Sequence, residues 1–319
     1  MRPSHTGGLV TLGETMALLT TPAATALPHA GELELSVAGA ESNVAIGIRR
    51  LGLPASFITR VGDDGFGRRV IRDLLAENLD LRVARDPHRP TGLMVKERRR
   101  SDATHVLYYR SGSAASALGP DDVDAELVRS AGVLHLSGIT PALGAGPADA
   151  AWRAAELARE AGVTVSVDVN FRSRLWAAEQ ARPVLRSLVA VADVVFAGAD
   201  EAAVVTGAGH SEATQHAEAL LALGPTTAVI KLGADGALAA TAAGMSTTPA
   251  VAVDVVDTVG AGDAFVAGYL SEHLQRAGLQ QRLDTGARAG AFACTSASDW
   301  HGLPYAEEIN TTYSDEVIR

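Results

Sequence analysis

Two residue types that often carry chemistry are nearly missing from this sequence. Cys294 is the only cysteine, so neither an intrachain disulfide nor a thiolate-based metal site can form. It lies in the apolar run 291–294, where a buried small residue is expected rather than a nucleophile. Lysine occurs only at Lys96 and Lys231, and arginine supplies the remaining positive charge, which we read as an arginine codon preference. No apolar run is long enough to span a bilayer. The N-terminus reaches polar and glycine residues within eight positions, without a basic segment leading into an apolar one. A cytoplasmic protein is expected. Positive charge is short overall: the net charge is −10, which argues against nucleic acid as a partner. Any phosphate site must then be local and built mainly from backbone amides.

What is present is a chain of 319 residues, 47% hydrophobic and 20% charged, enough to bury a large core. Short apolar runs alternate with amphipathic stretches, the pattern of a mostly parallel sheet covered by helices. Strands are predicted at Leu9–Leu12, Ser56–Val61, Val133–Leu136, Val163–Val167, Val194–Ala197 and Ala228–Lys231. Helical spacing fits Glu41–Leu51, Gly65–Glu77, Pro147–Ala161 and Glu212–Leu223, with a last pair at Gly262–Ala277 and Gln280–Ser296. Two segments break the rhythm. The first, about 15–37, holds extended stretches and two prolines. The second, about 89–110, reads as a β-hairpin: TGLMVKERR, a polar tip at Arg100–Ala103, then THVLYYR. Together they make either a small sheet forming a lid or edge strands of the main sheet. Ala237–Ala243 reads as part of a general alanine bias. The tail after Glu308 is polar and expected to be poorly ordered.

The stretch VDTVGAGDAFVAG, Val256–Gly268, carries the clearest chemistry. Gly260 and Gly262 permit a sharp turn and close approach of amides to a ligand. The run that follows is helical in pattern, with Phe265, Tyr269 and Leu270 on a buried side. The turn therefore sits at a helix N-terminus, where free N–H groups and the dipole favour an anion. Phe265 occupies the third position of G-x-G-x-x-G, so a dinucleotide fingerprint is not met. Asp263 is either a capping or first-turn acid or a base that takes a proton from a hydroxyl attacking a phosphate held by the turn. The turn alone leaves both readings open.

DTVGAGDAF resembles the C-terminal signature of the ribokinase-like (PfkB) sugar kinases, D-T-x-G-A-G-D-x-F. AGAESNVAIGIRRLG at Ala38–Gly52 is similar to a second signature of that family, G-G-x-x-x-N-x-A-x-x-x-x-R-L-G. VGDDGFG at Val61–Gly67 and KLGADG at Lys231–Gly236 match further landmarks in the same order. The resemblance runs from about Leu9 to Glu308. It implies one ribokinase-like domain over 1–319, a three-layer α/β/α core with a mostly parallel sheet and a small β-sheet lid. It also implies ATP as donor, Mg²⁺ as cofactor and room for a monovalent cation. On the matching positions it makes Asp263 the catalytic base, with Gly260, Ala261, Gly262 and Asp263 amides as an anion hole. Lys231, Gly233 and Gly236 fall in a segment that lines the nucleotide. Glu201, in FAGADEAA, matches the glutamate of an N-x-x-E motif that organises magnesium and its waters, although Gly198 stands where the motif has asparagine. A plain first-turn acid is the other reading of Glu201.

Four stretches are most similar to kinases acting on 2-keto-3-deoxygluconate: VLYYRSGSAAS (Val106–Ser116), LHLSGITPAL (Leu134–Leu143), VDVNFRSRLW (Val167–Trp176) and SDWHGLP (Ser298–Pro304). An acidic sugar needs a cation at one end, and arginine binds a carboxylate in planar, bidentate fashion. By resemblance Arg110 and Arg172 take that role, Tyr108 donates its hydroxyl, and Asp299 binds a substrate hydroxyl. Gly39, Ala40 and Asn43 mark where backbone approaches the sugar, and Asp168 and Asn170 complete the matched string. The competing readings are an Arg172–Asp168 structural ion pair, a solvated Arg110, and one tyrosine of the Tyr108–Tyr109 pair serving only packing. Met94 stands where those kinases carry a lid tyrosine, Ala40 replaces a glycine, and Ser298 replaces another. The resemblance implies ATP-dependent phosphorylation of the terminal (6-) hydroxyl of 2-keto-3-deoxy-D-gluconate, with the galactonate epimer, other sugars such as fructose or ribose, and a non-catalytic sugar-acid sensor as alternatives. Association of subunits through lid strands is implied by the resemblance alone.

Overall fold

The computed structural model describes residues 7–100, 103–209 and 211–309. Its strands are β1 (Leu9–Leu12), β2 (Met16–Thr20), β3 (Glu34–Ala38), β4 (Ala55–Gly62), β5 (Asp80–Asp86), β6 (Leu93–Arg100) and β7 (Ala103–Tyr109). They continue with β8 (Val133–Ser137), β9 (Thr164–Asp168), β10 (Val194–Gly198), β11 (Thr227–Lys231), β12 (Ala237–Thr241) and β13 (Gly244–Thr248). The helices are α1 (Ala40–Arg50), α2 (Gly65–Ala76), α3 (Ala125–Ser130), α4 (Ile139–Ala142), α5 (Ala145–Ala161), α6 (Ala178–Ala190), α7 (Ala199–Thr206), α8 (Ala213–Leu221), α9 (Ala261–Leu274) and α10 (Leu279–Cys294).

Nine strands form one sheet in the order β13-β12-β11-β10-β9-β8-β1-β4-β5, parallel from β11 to β5 and antiparallel at the β12–β13 hairpin. Parallel strands are buried on both faces, and these sequences show why. In β10, Val195 and Ala197 join the apolar core under α5, α6, α7 and α8, while Val194 and Phe196 join the core under α1, α2, α9 and α10. The result is three layers. Asp64 closes the start of α2 by accepting the Gly67 amide at 2.7 Å, and Gly162 ends α5 with φ 76°. Chain order reverses between β1 and β8, and a crevice beyond the strand ends at such a reversal is where α/β sheets bind ligands.

The two segments that broke the sequence rhythm form a separate four-stranded sheet, β3-β2-β6-β7. They are not edge strands of the large sheet. Met16, Leu18, Ala38 and Met94 make its own apolar cluster, so the methionine at the expected tyrosine position packs inside the small sheet. Tyr108 and Tyr109 are 41% and 61% exposed, so neither is buried in a core, contrary to the expectation that one serves only packing.

The predicted strands and helices are all present, with ends displaced by up to three residues. Further elements had not been predicted, among them β5, α6 and β12. β5 (DLRVARD) carries charge at Asp80, Arg82, Arg85 and Asp86, α6 contains Pro183, and β12 is the alanine-rich stretch. Alanine is a poor strand former, but β12 is paired on both sides and its alanines are buried. Cys294 ends α10 half-buried, and its carbonyl accepts the Val256 and Asp257 amides at 2.8 and 3.2 Å. Burial, then Asp257, pushes its thiol up, which fits the expected inert role. Among the described residues no helix is long and apolar enough to cross a membrane. The tail from residue 310 and part of the β6–β7 tip lie outside the described residues.

Candidate active site

Parallel strands deliver their C-terminal residues to one edge. β8 and β9 pair Ser137 with Asp168, and β10 and β11 pair Gly198 with Lys231. Lys231 Nζ donates to both oxygens of Asp168, at 2.9 and 2.6 Å. Asp168 is 2% exposed, so without this partner its charge would be costly. Burial works against the Lys231 ammonium, but Asp168, Glu201 and Asp263 outweigh it and hold its pKa above the ordinary value. Asp168 therefore pairs with Lys231, not with Arg172.

The glycine turn comes up beside this pair. Asp257 Oδ1 accepts the Val259 amide at 3.1 Å, and Ala261 N–H bonds the Thr258 carbonyl at 3.3 Å. Gly260, with φ 82°, is the N-cap of α9, and a Cβ there would collide with the Asp299 carbonyl. Conformation and space both require glycine. At Gly262 a Cβ would stand 3.6 Å from Lys231 Nζ, which puts the turn and the ammonium side by side. The first amides of α9 lack intrahelical acceptors, as at any helix start, and with the Lys231 ammonium beside them they put N–H donors where an anion can be held.

Asp263 lies in the first turn of α9 but does not cap it. Its Oδ2 accepts Asn43 Nδ2, from α1, at 2.9 Å. Burial raises its pKa to about 7; Asn43, Arg172 and Lys231 pull down, and Asp168 adds to the rise. A carboxyl near neutrality beside those donors is suited to accept a proton. Asn43 is thus a partner of Asp263, and its Oδ1 is buried with no hydrogen-bond partner.

Around this floor the remaining residues fall into two groups. Asn170, just beyond β9, is 3% exposed and adopts φ 39°, a left-handed geometry that asparagine tolerates better than most side chains. Arg172 is half exposed, 3.7 Å from Glu201 Oε1. Glu201 Oε2 accepts the Gly198 amide at 2.7 Å. The first-turn role of Glu201 is therefore real, and its other oxygen remains turned toward Arg172. Gly236, with φ 90°, has no room for a Cβ against the Thr248 carbonyl, whereas the space beside Gly233 is open.

The second group belongs to the small sheet. Arg110, directly after β7, is not solvated: its Nε and Nη2 bond Glu14 Oε2 at 2.6 and 2.5 Å, with side-chain exposures of 10% and 1%. Ser113 Oγ donates to the other oxygen of Glu14 at 2.5 Å. Tyr108 lies beneath the guanidinium, 5.8 Å from ring centre to Cζ. Gly39 caps α1, and a Cβ there would press on the Glu14 carbonyl, so packing already accounts for this glycine; Ala40 follows as the first helical residue. Asp299, 5% exposed, has Oδ1 3.4 Å from Lys96 Nζ.

Glu14, Lys96 and Asp257 were missed as site residues. Lys96 was flagged only as a rare lysine, and Asp257 only as the first letter of the matched motif. Glu41 was missed as well: fully buried at the β1/β8 reversal, it accepts Ser137 and Thr140 hydroxyls at 2.6 Å each, and burial raises its pKa. Among the described residues no cluster of three histidine, cysteine or acidic side chains could cage a metal. Glu201 Oε1, 3.7 Å from Arg172, is a carboxylate oxygen of the hard kind that Mg²⁺ and its waters take.

Residues 7–305 match the model of the pfkB family of carbohydrate kinases. A 2-dehydro-3-deoxygluconokinase of Bacillus subtilis is 36% identical over 305 residues, covering 94% of this chain and 93% of its own length. A 2-dehydro-3-deoxygalactonokinase of Haloferax volcanii is 34% identical over 295 residues, covering 92% and 93%. Among solved structures, a sugar kinase of Pyrococcus horikoshii in complex with ATP is 25% identical, with a TM-score of 0.82 over 94% of this chain and 96% of that one. With its layered sheet and its small second sheet, this chain belongs to the pfkB family and is a carbohydrate kinase.

Proposed function

We propose that the protein transfers the γ-phosphoryl group of ATP to the terminal (6-) hydroxyl of 2-keto-3-deoxy-D-gluconate, also called 2-dehydro-3-deoxygluconate. The observation that carries this reading is Asp263: a carboxyl at about 7, held by Asn43, at the mouth of an amide-lined turn. The sugar O–H gives its proton to Asp263 as its oxygen attacks the γ-phosphorus, and the bond from that phosphorus to the β,γ-bridging oxygen breaks to release ADP. Amides of Gly260–Asp263 and the Lys231 ammonium offset the charge that develops on the transferred group. When bound, Mg²⁺ supplies further neutralisation of the phosphate oxygens, and Glu201 is the residue placed to hold its waters. Gly233 and Gly236 would border the nucleotide.

The acid substrate is supported by two arginines and by the similarity to the Bacillus subtilis enzyme. Arg172, half exposed and loosely paired, is the cation for the substrate carboxylate. Arg110 contributes directed donors from a pair already neutralised by Glu14. The Haloferax volcanii relative supports a second reading, in which the galactonate epimer is the acceptor. Purified protein with ATP and Mg²⁺ should phosphorylate one or both acids well above ribose and fructose. A preference for the neutral sugars would sink the proposal, as would product formation equal to that of Asp263→Asn.

A further inference from the structure

Lys96 lies in the middle of β6, a strand of the small sheet, yet its side chain is only 1% exposed. It shares a face with Met94, which packs against Met16, Leu18 and Ala38. Its ammonium leaves the small sheet altogether and meets two carboxylates near the glycine turn: Asp257 Oδ2 at 2.6 Å and Asp299 Oδ1 at 3.4 Å.

The residues that carry those carboxylates both adjoin the turn at Gly260. Asp257 shapes the approach to the turn, since its Oδ1 holds the Val259 amide. Asp299 backs the turn, since its carbonyl lies where a Gly260 Cβ would be. One ammonium therefore ties both walls of the turn to one strand of the small sheet. A buried ion pair adds little net stability over apolar packing, and its best-attested use is to fix one arrangement among several. Two acids sharing one cation are also expensive to leave unpaired: burial raises Asp299 above its ordinary value, while Lys96 pulls it back.

We propose that Lys96 is a positioning residue for phosphoryl transfer, acting through Asp257 and Asp299 to hold the Gly260–Asp263 amides in register with the small sheet. The proposal rests on the reading of that turn as the anion hole. It makes no claim that Lys96 touches substrate.

The test uses the full-length protein and three variants, Lys96→Met, Lys96→Gln and Lys96→Ala. With the best acceptor of the wild type, kcat should fall by about 30- to 100-fold, as expected for catalytic groups misplaced by about 1 Å, while KM for that acceptor changes less than about threefold. Methylammonium should restore activity to Lys96→Ala by roughly fivefold or more through the vacated space, tetramethylammonium should not, and neither should raise wild-type activity. Hydrogen exchange without substrate should quicken over residues 257–263 and stay unchanged in α5. That readout needs no sugar, so it stands even if no acid proves to be an acceptor. A kcat within about threefold of wild type overturns the proposal. So does a loss of activity with faster exchange in both apolar cores and no rescue by methylammonium, which marks Lys96 as a general stability residue.

Discussion

Arg110 and Arg172 belong to two different regions, and the contrast separates the roles of those regions. Arg110 directly follows β7 of the small sheet and is locked to Glu14, with both partners nearly buried. Arg172 stands on the loop after β9, half exposed, 3.7 Å from Glu201. The same loop reaches the small sheet through Arg174, which donates to the Val106 carbonyl. A neutralised, buried arginine offers geometry with little net field. An exposed, loosely paired one offers charge. Neither does chemistry: the group that titrates near neutrality is Asp263, on the large-sheet side.

The largest expected effect checks that last statement. Asp263→Asn keeps the shape and the Asn43 contact as far as an amide can, and should lower kcat by about 1,000-fold or more with little change in KM. In the wild type, kcat/KM should fall tenfold per pH unit below about 7, as the base takes up a proton before substrate arrives. A variant retaining more than a tenth of wild-type kcat would move the base elsewhere in the cleft.

Next in size is the arginine that is already paired. Arg110→Ala leaves Glu14 buried and unpartnered by a cation, a loss of about 3 kcal/mol in unfolding free energy by denaturant titration. Adding Glu14→Gln should recover much of it, because the uncompensated charge is then gone. If Arg110→Ala melts like wild type, Arg110 is the free arginine and the contrast is inverted. Arg172→Ala should do the opposite: unchanged stability, and a KM for the sugar acid raised roughly 10- to 30-fold with neutral sugars unaffected. Equal KM changes for acid and neutral sugars would remove carboxylate recognition from Arg172.

These two regions were not equally legible in the sequence. The large sheet announced itself because parallel strands bury both faces and read as apolar runs, and glycines punctuate the helices between them. The turn at Gly260 was legible because its chemistry is local: two glycines, an acid and a helix start within a few residues. Motif similarity placed Asp168, Lys231 and Glu201 near it, but their partners came only from the fold. Asp168 was weighed against Arg172 and pairs with Lys231; Glu201 caps its own helix while also facing Arg172. The small sheet hid most. Arg110 meets Glu14 across 96 residues, and Lys96 meets Asp299 across 203. Ion pairs at such separations leave no periodicity, and a lysine within a strand pattern reads as a solvent-facing residue. β12 was hidden for a different reason, since its alanines favour a strand only once neighbours are in place.

The smallest effect separates function from stability at a single residue. In the unfolded chain the Asp263 carboxyl titrates at its ordinary 3.8, and in the folded protein at about 7. Above pH 7 both states are ionised, and the folded state bears the whole cost of a desolvated carboxylate. As pH falls from 7 toward 3.8 the folded protein binds a proton that the unfolded chain does not, and the cost fades; below 3.8 it is gone. Asparagine never ionises, so Asp263→Asn should be more stable than wild type at pH 8, by about 1–2 kcal/mol given that the carboxyl is partly open to the cleft. The two proteins should converge as pH approaches 4. Thermal melts of both across that range decide it. A gap that persists unchanged at low pH would place its origin in packing and return Asp263 to an ordinary carboxyl, and an inactive variant that is also less stable at pH 8 would tie the loss of activity to the fold.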